Sequence, residues 1–223
     1  MKKTRVGVLI SGRGSNLRAL IEACNARSFP AEIVLVVSNA PRAQGLAHAE
    51  GASIPTRTVS HRDFASREAF DAALNEVLEK AGVELLCNAG FMRLHSEDFV
   101  RRWWNRHLNI HPSLLPAFPG LHTHARVLEA GAKISGCTVH FVRPQMDTGP
   151  IVAQAAVPVL AGDTEDALAA RVLAAEHLLY PLALRLVASG AVRVEGEIVG
   201  GLIRVKDQAP KAPLFSPSLD EGL

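Results

Sequence analysis

The sequence predicts a doubly wound α/β fold with a mostly parallel sheet and a small C-terminal hairpin. Three observations carry this expectation. The short apolar runs Val6–Ile10, Ile33–Val37 and Val83–Cys87 are continuous rather than alternating, as strands covered on both faces read. Segments with apolar residues at helical spacing lie between them. Glycine-rich or polar turns mark the joins, so strand and helix alternate and right-handed crossovers follow.

Taken in order, Val6–Ile10 ends at the glycine-rich turn Ser11–Asn16. The segment 16–27 then carries Leu17, Leu20, Ile21 and Cys24 at helical spacing. Ile33–Val37 is a β-branched run closed by Ser38-Asn39. Residues 41–50 read as a helix stopped by Gly51. Residues 54–59 read as a strand, and 66–80 as a helix with Phe70, Leu74, Val77 and Leu78 on one face. Val83–Cys87 is the next strand. Arg106–His111 is a strand broken by Pro112, and the three prolines of 112–119 impose an irregular loop. Residues 134–142 and 151–160 read as strands around the turn-rich 143–150. Asp163-Thr-Glu-Asp166 opens a helix that runs to about residue 189, because acidic residues suit a helix N-terminus. Residues 192–199 suggest the hairpin. With no repeat or linker, residues 1–203 read as a single domain and 204–223 as a polar, proline-rich tail.

Composition narrows the function classes. Of 223 residues, 48% are hydrophobic and 21% charged, as in a globular chain. Lys+Arg 24 against Asp+Glu 22 lacks the basic excess of a nucleic-acid binder. No apolar run suggests a membrane span, and the run after the basic Met1–Arg5 is too short for a signal peptide. Cys24, Cys87 and Cys137 are odd in number and far apart, so they fit reduced thiols in the cytoplasm rather than a disulfide or zinc framework. An enzyme acting on small molecules is the expectation.

Two regions carry chemistry. The turn Ser11-Gly12-Arg13-Gly14-Ser15-Asn16 opens a helix, whose free N–H groups suit a phosphate. A dinucleotide fingerprint would need glycine where Leu17 stands and a carboxylate near Ser38-Asn39, so a single phosphate group fits better. Five of the nine histidines lie between positions 107 and 140. As a metal site they are poor: His107 and His111 are about 13 Å apart on a strand, and His122-x-His124 stands without an HExxH motif or a cysteine pair. As an acid–base site they are better. Asn109 and His111 are two apart, so both face one side of a strand. An amide donor beside an imidazole suits a tetrahedral oxyanion. Asp147, in its turn, is the third candidate. Taken singly, each of these residues also has a plain structural reading, as cap, core histidine or turn former.

Together the stretches resemble the glycinamide ribonucleotide formyltransferases. The motifs are Ser11-Gly-Arg-Gly-Ser-Asn-Leu17, Ala89-Gly-Phe-Met-Arg93, Leu108-Asn-Ile-His-Pro-Ser-Leu-Leu-Pro116, Pro119-Gly-Leu-His-Thr-His124, Val139-His-Phe-Val142, Asp147-x-Gly-Pro150 and Gly162-Asp163. They occur in family order over roughly residues 4–190. The resemblance implies a Rossmann-like formyltransferase fold and direct transfer of the formyl group of 10-formyltetrahydrofolate to the amine of glycinamide ribonucleotide, within purine biosynthesis and without a metal. It implies that Asn109 and His111 stabilise the oxyanion, that His111 moves protons, and that Asp147 orients His111 and favours its protonated form. Gly14, Ser15 and Asn16 match the phosphate-binding turn, and Glu176 matches a carboxylate that holds the nucleotide. Arg67, Met92, Arg93 and Leu94 match folate-side positions, as does the loop Arg143, Pro144, Gln145 and Met146. His122 and His124 line or support the site. His95 departs from the family's aliphatic residue, and Trp103-Trp104 has no counterpart in these motifs. A methionyl-tRNA formyltransferase would add a basic C-terminal domain, and a formyltetrahydrofolate deformylase an N-terminal one; the sequence shows room for neither. The expected state is a monomer or homodimer, with no nucleic acid or membrane partner.

Overall fold

A computed structural model of the chain describes residues 2–201. Seven strands form one sheet: β1 (Thr4–Ile10), β2 (Ala31–Ser38), β3 (Thr56–Thr58), β4 (Leu85–Asn88), β5 (His107–His111), β6 (Ile134–Phe141) and β7 (Ile151–Pro158). Their order is β3-β2-β1-β4-β5-β6-β7. The first five run parallel, while β6 and β7 are antiparallel to their neighbours. A separate hairpin joins β8 (Val192–Glu195) to β9 (Ile198–Gly201). The expected mostly parallel sheet with a small hairpin is what forms. The tail expected at 204–223 lies outside the described residues.

Alternation along each strand feeds two cores. Val6, Val8 and Ile10 of β1 face a core with Leu17, Leu20, Leu168, Val172 and Tyr180. Leu9 faces the other, with Phe70, Leu74, Leu78 and Phe99. The first core is covered by α1 (Ser15–Cys24) and α6 (Glu165–Ala188), the second by α3 (Arg67–Lys80) and α4 (Glu97–Arg102). Burial of β1 and β4 on both faces is why their sequences read as unbroken apolar runs.

Local signals set the helix ends. The hydroxyls of Ser66, Ser96 and Thr164 accept from the N–H groups of Ala69, Phe99 and Ala167, capping α3, α4 and α6. The 24 residues of α6 reach a mean hydropathy of 1.3 over an 18-residue window, so this helix is long and apolar enough to cross a membrane. No unbroken apolar run of that length announces it in the sequence, because Glu165, Asp166, Arg171, Glu176 and Arg185 interrupt it. Here its apolar face is spent on the core.

The expected helix at 41–50 begins only at Gly45, as α2 (Gly45–Gly51). Helix α4 and α5 (Thr123–Glu129) were not expected. Each has seven residues or fewer, too short for helical periodicity to show.

Candidate active site

The carboxyl ends of β1, β4 and β5 open on one edge, where a switch in strand order leaves a crevice. At β1, Gly14 has φ 75°, and a side chain there would stand 2.5 Å from Gly45 Cα. Only glycine fits, so α2 packs against the turn. Asn16, just inside α1, is buried, and its Nδ2 donates to Glu176 Oε2 of α6 at 2.7 Å. The turn residue and the helix carboxylate therefore meet, although 160 positions apart. Burial pushes the Glu176 carboxyl up, and the Asn16 bond opposes this in part. Asn16 Oδ1 has no partner among the described residues.

At β5, Asn109 Nδ2 lies 3.2 Å from His140 Nε2 across the β5–β6 ladder, where the two residues are paired. His140 Nδ1 is 3.0 Å from its neighbour's carbonyl, Phe141 O. That ring nitrogen therefore carries the proton, and Nε2 accepts from Asn109. Burial, the largest influence, holds the His140 pKa low, so the ring stays neutral. The amide of Asn109 is thus oriented with one N–H bound and the other free to point at a ligand. Sequence reasoning had not singled out His140 as functional. The β5–β6 pairing that aligns it with Asn109 is not visible in either segment alone.

His111 follows two residues later, on the same side of β5, and is buried. Its Nε2 lies 3.0 Å from Phe118 O and its Nδ1 3.4 Å from Asp147 Oδ2. Both ring nitrogens face oxygens, an arrangement that an imidazolium satisfies fully. The Phe118 carbonyl is fixed by the proline-rich loop. There Ser113 Oγ donates to the carbonyls of Ala117 and Phe118, and Thr138 Oγ1 ties Ser113 and Leu115 to β6. Asp147 sits at φ 58°. Its Oδ2 accepts from Gly120 N at 2.8 Å and its Oδ1 is 3.7 Å from His140 Nε2. A side chain on Gly149 would collide with the Phe141 carbonyl, so glycine lets this turn fold back onto β6. Asn109, His111 and Asp147 are thus brought together.

A cavity of about 170 Å³ is lined by His61, Ser66, Arg67, Phe70, Arg93 and Leu94, among others. It gathers Arg67, Arg93 and Leu94; Met92 is exposed nearby in the chain, its N–H donating to Ser11 Oγ at 2.8 Å. Behind this loop His95 Nδ1 meets Asp71 Oδ1 of α3 at 3.0 Å, and Ser96 N donates to Asp71 Oδ2 at 2.5 Å. The His95 ring is stacked between Phe91 and Phe99. His95 thus fastens the loop to α3 from below instead of lining a pocket.

Arg143 behaves differently from the other residues expected on the folate side. It is buried, with Nε on Glu197 at 2.8 Å, Nη2 on Asn105 at 2.8 Å and its guanidinium 3.8 Å from the Trp104 ring centre. Its guanidinium is fully engaged, so any ligand contact of the loop falls to backbone and to the exposed Pro144, Gln145 and Met146. Trp104 thereby acquires a role as its stacking partner, and Trp103 is buried with Nε1 donating to Asn75 at 3.0 Å. His122 is exposed at the start of α5; His124 is half-buried, and burial lowers its pKa. Among the described residues, no group of three or more His, Cys, Asp or Glu could hold a metal ion.

An α/β sheet with an amide, an imidazole and a carboxylate at its carboxyl edge defines a domain for group transfer at a carbonyl carbon. The formyl transferase family profile matches residues 4–184, and the chain belongs to the formyl transferase family. It is 46% identical over 187 residues to the phosphoribosylglycinamide formyltransferase of Escherichia coli, covering 84% of this chain and 88% of that protein. It is 54% identical over 193 residues to the bovine trifunctional purine biosynthetic protein adenosine-3. That match covers 86% of this chain, which spans only 19% of the bovine protein's length. A glycinamide ribonucleotide transformylase from Symbiobacterium toebii superposes with a TM-score of 0.88 at 48% identity, over 90% of this chain and 95% of the other.

Proposed function

We propose that this chain transfers the formyl group of 10-formyltetrahydrofolate to the amine of glycinamide ribonucleotide, giving formylglycinamide ribonucleotide and tetrahydrofolate in purine biosynthesis. The observation that carries the reading is the convergence of Asn109, His111 and Asp147 at the carboxyl edge of β5. Asn109, held by His140, offers its second N–H to the formyl oxygen as negative charge develops there. His111 adds positive charge beside it; as the tetrahedral intermediate collapses it gives a proton to the leaving N10 of the donor and regains one from the former amine. Asp147 holds that imidazolium. The N-terminal turn of α1, with Gly14, Ser15 and Asn16, receives the phosphate, and Glu176 accepts from a sugar hydroxyl. Arg67 and Arg93 suit the carboxylates of the folate tail, beside Met92, Leu94 and the exposed loop 144–146.

The three cysteines are free, and burial pushes Cys24, Cys87 and Cys137 each up to about 12, so they stay as thiols. This supports placement in the reducing cytoplasm. We propose a monomer or homodimer without nucleic-acid or membrane partners, and a reaction that survives chelation. The deciding assay mixes protein, glycinamide ribonucleotide and 10-formyltetrahydrofolate and follows tetrahydrofolate. No product, or equal use of the dephosphorylated riboside, would overturn the assignment.

A further inference from the structure

The C-terminal hairpin takes no part in the seven-stranded sheet, yet one of its side chains reaches the candidate site. Strands β8 and β9 are joined by the two-residue turn Gly196-Glu197, with Gly196 at φ 65°. Glycine at that position suits the twist of a tight hairpin. Val194 and Val199 pack against the first core, so the hairpin is seated and its turn has a fixed place. From there Glu197 Oε2 accepts from Arg143 Nε at 2.8 Å. The other faces of the guanidinium are also taken. Nη1 donates to Val142 O at 3.1 Å, Nη2 donates to Asn105 Oδ1 at 2.8 Å, and the Trp104 ring lies against the plane. The Arg143 side chain is 5% exposed and that of Glu197 61%. The buried cation therefore takes its counter-charge from an exposed carboxylate.

Arg143 is the root of the loop that ends at Asp147. The far end has its own anchor, since Asp147 Oδ2 accepts from Gly120 N. Between the two ends Pro144, Gln145 and Met146 are exposed. With both ends held, these three residues have one place to be; with the root released, they do not. We infer that Glu197 is a positioning residue for the formyl donor: it holds Arg143 against Trp104 and Asn105 and so sets where residues 144–146 meet 10-formyltetrahydrofolate. The inference rests on the folate reading of this loop. On that reading the nucleotide substrate meets other elements, the α1 turn and Glu176, and does not feel the latch.

The test measures kcat and the KM for each substrate in wild type, Glu197→Ala, Arg143→Met and the double variant. Glu197→Ala should raise the donor KM about fivefold, the upper end of what a partly exposed ion pair supplies. Its kcat and its KM for glycinamide ribonucleotide should stay at wild-type values. Because Glu197 acts through Arg143, the double variant should be no worse for the donor than Arg143→Met alone. Glu197→Gln keeps an oxygen for Arg143 Nε and should recover part of the loss. An unchanged donor KM, equal losses for both substrates, or losses that multiply in the double variant would overturn the inference. Acrylamide quenching of tryptophan emission reads the latch without turnover. Trp103 is buried, so quenching reports Trp104, whose ring Arg143 covers. Quenching should rise in Glu197→Ala, and the rise should vanish when both proteins also carry Trp104→Phe. Equal quenching of wild type and Glu197→Ala would overturn the inference. The expected rise, beside a wild type that turns over no donor, would overturn the functional reading instead, and the donor role of the latch with it.

Discussion

Replacing Asp147 by Asn removes one charge and almost no volume. The oxygen that accepts from Gly120 N can remain, so the turn keeps its anchor. What disappears is the attraction between the carboxylate and a protonated His111, whose Nδ1 lies 3.4 Å from Oδ2. At that separation, with an effective dielectric of about 20, two unit charges gain about 5 kcal/mol. Desolvation of two buried charges offsets roughly half. About 2–3 kcal/mol remains, which is roughly 30- to 150-fold in rate. The attacking amine must be unprotonated, so wild-type kcat/KM should fall from neutral toward acid pH. The assay is kcat/KM for Asp147→Asn and wild type across that range, with circular dichroism to check folding. A variant with the wild-type rate and an unchanged profile would refute the charge argument.

Asn109→Ala and His111→Ala should each lower kcat on the order of 10²-fold. The double variant should lose less than the product, since both residues serve one oxygen. Steady-state rates of the three proteins decide it. Glu176 titrates higher in the folded protein than in the unfolded chain, because burial penalises its charge. Its stabilisation is therefore complete at acid pH and lost as pH rises through the folded value. Glu176→Gln should accordingly melt higher than wild type at pH 7 and equally near pH 4, while binding glycinamide ribonucleotide more weakly; thermal melts and KM at both pH values check this. His95→Ala should leave Asp71 buried without its imidazole and cost about 3 kcal/mol of stability, read from urea denaturation.

Much of the site was legible because its residues fall within short motifs. Asn109 and His111 are two apart on one strand, and the phosphate-type turn is a run of six residues. What could not be read depends on pairing across the sheet. Nothing near His140 announces that β6 runs antiparallel and sets it beside Asn109. Nor does the sequence around Arg143 show that Glu197 and Trp104 will claim its guanidinium. The buried His95–Asp71 couple joins segments 24 residues apart. The fold was legible for a similar reason. Strands buried on both faces announce themselves by composition, whereas α4 and α5 are too short to show a period.

The β5–β6 ladder ties assembly of the candidate site to the completion of folding. Asn109 and His111 emerge with the parallel half of the sheet, yet His140, Asp147 and Glu176 all lie further along the chain. Until β6 adds antiparallel to β5, the Asn109 amide and the His111 imidazole have neither orientation nor charge partner. A chain that stops short of Asp147 also lacks α6, which covers the core over β1 and holds Asn16 through Glu176, so neither the turn nor the candidate site is complete.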